Sequence, residues 1–296
     1  MTDLREPDFE PPVPGVERLP RAIEPARDLW PGIAPRLRGP ARRGWMAAGA
    51  LAAAVLALMM LTRRTPLEAI RLEGRPRITR AGVTTDDSSS ARLTLSIGQL
   101  DVEPETDLRL VALGPSQQRF ALRRGTISAR VNAPPRVFVV ETPAAIATDL
   151  GCAYVLRVDS LGNGTLHVTL GQVELAGEHL VIVPAGYVAA IRSGRGPGTP
   201  VSVDAPPALV RALDALDAGG AGPALDTALR LARPGDARSL WNLIPRVAPA
   251  DRGRVYDALA RLAPPPALVT RAGVVGLDPG MLELWWNYLP WVGERR

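Results

Sequence analysis

The sequence predicts a multi-domain chain with a single transmembrane helix, an all-β domain of short stacked strands and a C-terminal all-α helical domain. Three observations predict it. Trp45 to Thr62 is an uncharged, apolar run, and from Arg92 to Val203 brief apolar alternations are broken by glycine and proline. After Asp204, alanine, leucine and arginine recur at helical spacing. The expected divisions are a tail at 1–43, the span at 44–62, a linker at 63–91, the β domain at 92–203 and the helical domain at 204–296.

All 35 basic residues of the 296 are arginine, and the net charge is +5. That exclusivity reads as a GC-rich coding bias. The arginines are interleaved with 30 acidic residues and form no basic stripe, so no nucleic-acid partner is expected. One cysteine, Cys152, excludes an intrachain disulfide, and with only His167 and His179 beside it no zinc site or other cofactor is expected. Neither G-x-S-x-G nor H-E-x-x-H occurs, and the pair Asp86-Asp87 sits in polar sequence, so catalysis is not expected. Gly194 to Gly198 faintly suggests a phosphate loop. It lacks the strand-to-helix context and the lysine of such loops, and it reads as a linker.

The tail opens with proline and acidic residues to Glu17, a composition that cannot bury a core. Leu19 to Leu37 carries Ile23, Leu29, Trp30 and Ile33, but Pro20, Pro25, Pro31 and Pro35 forbid a long helix. A short linear segment remains, and Leu29 and Trp30 are its candidate partner-binding residues. A large rigid aromatic on such a tail suits docking in a groove. The alternative places Trp30 in a membrane interface.

The span of eighteen residues would make a helix of about 27 Å, close to the roughly 30 Å hydrocarbon core. Arg42-Arg43 and Arg63-Arg64 bound it. A cleaved signal peptide is disfavoured by the 44 residues ahead of the run and by arginines where a cleavage site should stand. Five arginines ahead and six behind, within about 20 positions, do not orient it.

In the linker, short strands are expected around Ile70 to Leu72 and at Ile78. Beyond it the strands expected are 92–97, 108–113, 119–122, 126–131, 137–141, 153–158, 165–170, 172–175, 179–183 and 187–191. Asn163-Gly164 suits a type I′ hairpin turn, since both residues tolerate positive φ. LTLSIGQLDV, FALRRGTISA and LHVTLGQVEL share one template with glycine at the sixth place, and LVIVPAGYVAAI is a looser copy. Gly98, Gly125, Gly171 and Gly186 are therefore expected to turn the chain between strands.

Within this region Glu141-Thr142-Pro143, Asp149 to Leu156, Gly171-Gln172-Val173 and Ala185-Gly186 resemble, in order, the FecR domain of bacterial membrane regulators. That pattern joins V-x-T-P, D-x-G-T-x-F-x-V, G-x-V and an aliphatic-glycine turn. Gly151 takes the glycine of the second segment, Cys152 stands where threonine is usual, and Tyr154 where phenylalanine is. The resemblance covers roughly residues 92 to 195. It implies an all-β periplasmic domain in a single-span inner-membrane protein whose cytoplasmic tail binds an extracytoplasmic-function sigma factor. LPRAIEPARDLWPGI is also similar to a short motif found before the span in membrane-bound anti-sigma-like proteins.

Helices are expected at 207–218, 223–232, 236–247, 251–262 and 279–289, punctuated by Pro206, Gly219-Gly220, Gly235, Pro249 and Pro264 to Pro266. FecR proteins that sense siderophore receptors usually end in a mixed α/β module, so this ending departs from the pattern. Trp285 and Trp286 are further candidate partner-binding residues. Two adjacent tryptophans cannot both face inward on one helix, so one is expected at a partner, domain or membrane surface.

The expected function is signal transduction by protein contact, with membrane lipid, a sigma factor and an envelope protein as partners. The alternative is an anchored envelope scaffold that binds a polysaccharide or another protein.

Overall fold

The computed structural model describes residues 67–290, apart from residues 74, 80, 81, 115 and 221. Its centre is a 14-residue strand, β7 (Gln118–Val131). The first half of β7 lies between β6 (Asp107–Leu113), which is antiparallel to it, and β8 (Phe138–Glu141), which is parallel. The second half lies between β5 (Gly98–Val102) and β10 (Ala153–Val158), both antiparallel. One strand thus belongs to two sheets.

The change of sheet occurs at Gly125, whose φ is 100°. A Cβ there would come 2.4 Å from the Cα of Thr106, so no other residue fits. Gly125 was expected in a turn between two short strands. Instead it kinks one continuous strand, because the ladder partners on either side hold the chain extended.

One sheet runs in the order β2 (Arg77–Thr79), β3 (Gly82–Thr84), β6, β7, β8, β9 (Ile146–Asp149), β12 (Gln172–Ala176) and β13 (Leu180–Pro184). The other begins with β1 (Leu67–Glu73), β4 (Ser90–Leu95) and β5, and continues through β7 and β10 to β11 (Gly164–Leu170) and β14 (Tyr187–Arg192). The short strands β15 (Gly196–Pro197) and β16 (Val201–Ser202) both pair with β14. The body is therefore one nearly closed hydrogen-bonded network, and it begins at Leu67, where β1 and β2 take up the short strands expected around Ile70 to Leu72 and Ile78. The run from Gly194 to Gly198, expected as a linker, supplies a turn and β15.

Alternation explains the core. Tyr154, Leu156 and Val158 of β10 and Leu166 and Val168 of β11 are buried on one side, and Val173, Leu175, Val181 and Val183 on the other. The hairpin between β10 and β11 exists, but not with the turn expected. Asp159 accepts hydrogen bonds from the N–H groups of Leu161 and Asn163, both at 2.8 Å, and Gly162 carries the positive φ of 82°. The Asp159 carboxylate organises a longer loop, and Gly164 joins the ladder opposite Val158.

The C-terminal region comprises α1 (Pro207–Asp217), α2 (Pro223–Leu231), a 3-10 turn (Pro234–Asp236), α3 (Ala237–Leu243), α4 (Pro249–Leu262), α5 (Arg271–Val275) and α6 (Pro279–Tyr288). Proline at the first helical position starts α1, α2, α4 and α6 where its missing N–H costs nothing. Leu209, Leu213, Leu225, Leu240, Val255 and Leu259 form the core, against which Ile182 and Val201 of the β body also pack. The described residues, from Leu67 to Pro290, are thus one compact unit, with strands and helices sharing a core.

The expectation of a membrane-crossing helix is corrected. Among the described residues no helix is long and apolar enough to cross a membrane. The longest, α4, has 14 residues and carries Asp251, Arg252, Arg254, Asp257 and Arg261. The run at 44–62 on which the expectation rested lies outside the described residues, as do Leu29 and Trp30. The architecture described is a mostly β body with a C-terminal helical region.

Candidate interaction site

Three of the four segments that resemble the FecR pattern meet at one end of the β body. Asp149 closes the turn after β9, accepting the N–H of Gly151 at 2.7 Å through Oδ1 and the thiol of Cys152 through Oδ2. The N–H of Leu150 reaches the carbonyl of Gln172 at 3.3 Å, and that of Ala185 reaches the carbonyl of Gly171 at 2.8 Å. The N–H of Gly186 reaches the carbonyl of Val168 at 2.9 Å. Gly171 has a φ of 68°, and a Cβ on it would stand 2.1 Å from the carbonyl oxygen of Gly151. The chains can approach this closely only with glycine there. Glu141-Thr142-Pro143 lies at the opposite end of β9, where Thr142 and Ala145 close a turn through the Thr142 hydroxyl. Gly98 lies at the turn between β4 and β5 and pairs with Val131, whose N–H reaches the carbonyl of Cys152 at 2.9 Å.

Burial sets the chemistry of this end. It pushes the Cys152 thiol up, with the neighbouring Asp149 carboxylate adding to the effect. The Asp149 carboxyl is itself raised by burial, against the hydrogen bonds from Cys152 and Gly151 that oppose it. Tyr154 is raised well above its ordinary value for the same reason, and its hydroxyl has no hydrogen-bond partner among the described residues. Cys152 is 1% exposed and stays a thiol, so it packs rather than reacts.

The helical region grips this end and the β13–β14 hairpin. Trp286 donates its indole N–H to the Oε1 of Gln172 at 3.2 Å, and Tyr187 donates its hydroxyl to the carbonyl of Gly235 at 2.6 Å. Asn242 pairs with the backbone of Ile182 in both directions. Gln172, Tyr187 and Asn242 carried no signal in the sequence, since their partners are 48 to 114 positions away.

Both candidate tryptophans are buried, Trp285 at 0% and Trp286 at 5% exposure. Adjacent residues on a helix point about 100° apart. Here two faces of α6 are covered, which accommodates both. Trp285 packs on Tyr256 at 5.1 Å and donates to the carbonyl of Ala263 at 3.2 Å. Trp286 turns toward Gln172 and lies 4.8 Å from Trp241, with the Arg238 guanidinium 4.2 Å from its ring. Their rings serve internal contacts, and Tyr288, 67% exposed, is the aromatic that α6 presents outward.

Among the described residues no group of His, Cys, Asp and Glu could hold a metal ion. No known family model matches this chain, and no curated protein matches it. Two solved structures from Parabacteroides distasonis, each provisionally described as an anti-sigma factor, are similar to it at 15% and 17% identity, both with a TM-score of 0.37. The first similarity covers 49% of this chain and 64% of that one, the second 44% and 62%. The chain therefore spans less than two thirds of the length of either structure.

Proposed function

We propose that the chain is a non-catalytic regulator acting by protein contact. In this reading the tail around Leu29 and Trp30 binds an extracytoplasmic-function sigma factor, and the body at 67–290 meets the envelope component that governs that binding. The observation that carries the reading is the turn cluster. Segments that resemble the FecR pattern at Asp149 to Cys152, Gly171 to Val173 and Ala185-Gly186 are stitched together by backbone hydrogen bonds, as parts of one functional unit need to be. The buried Cys152 thiol and the neighbouring Tyr154 hydroxyl, both pushed up by burial, suit support of this end from within rather than turnover.

The test is co-purification. The full-length chain is co-expressed, one at a time, with each extracytoplasmic-function sigma factor of the same organism. At least one should co-purify in defined stoichiometry, and Trp30→Ala should weaken it by about 2 kcal/mol, roughly thirtyfold, as expected for an aromatic hot spot. Retention of none by the unsubstituted chain would end the sigma-factor reading.

A further inference from the structure

A cleft of about 480 Å³ lies between the β14–β15 turn and the helical region, away from the turn cluster. One wall is built and rigid. Arg246, its side chain 8% exposed, bonds Asp217 at 2.7 Å and the carbonyl of Pro197 at 3.0 Å. Asp217 also accepts the N–H of Thr199 at 2.6 Å and its hydroxyl at 2.8 Å. That network neutralises Asp217 and fixes strand to helix. The floor is apolar, made by Leu216, Leu225, Leu243 and Val247.

The remaining wall carries Arg192 and Arg195, both exposed and without a carboxylate partner among the described residues. Of the other acids in the cleft, Asp251 is taken by Arg254 at 2.9 Å, which leaves Glu178 against two guanidiniums, with His179 beside them. Unpartnered positive charge thus faces a cavity with an apolar floor. A guanidinium fork is matched to the paired oxygens of carboxylate and phosphate, and concave sites with a few convergent polar groups are where small ligands bind.

We propose that this cleft binds a small organic anion, its carboxylate or phosphate group held by Arg192 and Arg195 and its body resting on the leucine floor. The proposal is independent of the sigma-factor reading, because it needs only the body.

Titration calorimetry of the full-length chain with glucuronate, inorganic phosphate and neutral glucose tests it. Glucuronate or phosphate should bind saturably and glucose should not, and the Arg192→Ala, Arg195→Ala double variant should lose about tenfold or more in affinity. Arg109→Ala, at an exposed arginine outside the cleft, should bind as the unsubstituted chain does, and unchanged thermal midpoints would show that both variants fold. A response to glucuronate alone assigns the ligand to sugar acids, and a response to phosphate assigns it to phosphates. If neither anion binds saturably, if glucose binds as well as they do, or if the double variant binds unchanged, the proposal is overturned.

Discussion

The carboxamide of Asn242 accepts the N–H of Ile182 at 2.9 Å and donates to the carbonyl of the same residue at 3.1 Å. One side chain from α3 thus does for β13 what a further strand would do. It satisfies an outer sheet edge that would otherwise be open to unwanted pairing. The same amide donates to the carbonyl of Arg238 at 2.9 Å, which fixes its orientation, and Asn242 is 1% exposed.

Asn242→Ala should destabilise the body by about 1 to 2 kcal/mol, since it leaves two part-buried backbone groups of Ile182 without their partner. Urea denaturation measures the loss. Amide exchange at Ile182 should accelerate at the same time, and an unchanged exchange rate there would contradict the edge role.

Tyr154→Phe should leave stability unchanged or raise it by about 1 kcal/mol. The ring is 2% exposed and its hydroxyl is buried without a partner among the described residues, so its removal relieves an uncompensated desolvation. Denaturant midpoints of the two proteins decide the sign.

Asp149 should make stability depend on pH in the direction opposite to a salt-bridged carboxylate. Burial raises its folded pKa above the ordinary aspartate value of 3.8. As pH rises past that value the unfolded chain releases its proton first, so stability falls until the folded carboxyl ionises as well, and is level above that. Asp149→Asn keeps an acceptor for the Gly151 N–H and does not titrate. The stability of the parent relative to this variant should therefore decline with rising pH from about 4, as followed by denaturation at successive pH values.

Gly125→Ala should cost more than about 1 kcal/mol, because the site combines a positive φ with a Cβ position occupied by Thr106. Gly151, also at positive φ but with nothing within 4 Å of a built Cβ, isolates the backbone effect. Gly151→Ala should cost less, and equal losses in thermal midpoint at the two sites would refute the crowding at Gly125.

The sequence alone determined where strands give way to helices and placed several elements of each kind, since alternation and helical spacing are local properties, but it missed the strands at 98–102 and 146–149 and the helix at 271–275. The strands around 153–158 and 165–170 and the helices starting at Pro207, Pro223 and Pro279 stand close to where their patterns place them. It determined the glycine at 171 as well, because a turn announces itself in the residues that make it. Tertiary structure decided the rest. Gly125 bends a strand because of where Thr106 lies, and Asp159 reshaped the turn that Asn163-Gly164 suggested. Trp285 and Trp286 are both buried because a second layer covers the other face of α6. Asn242, Gln172 and Tyr187 are ordinary polar residues until the fold brings each within hydrogen-bond reach of a partner far away in the chain. Pairing at such separation leaves no local pattern, because the free energy that fixes it comes from burying two surfaces together and not from the preference of either segment.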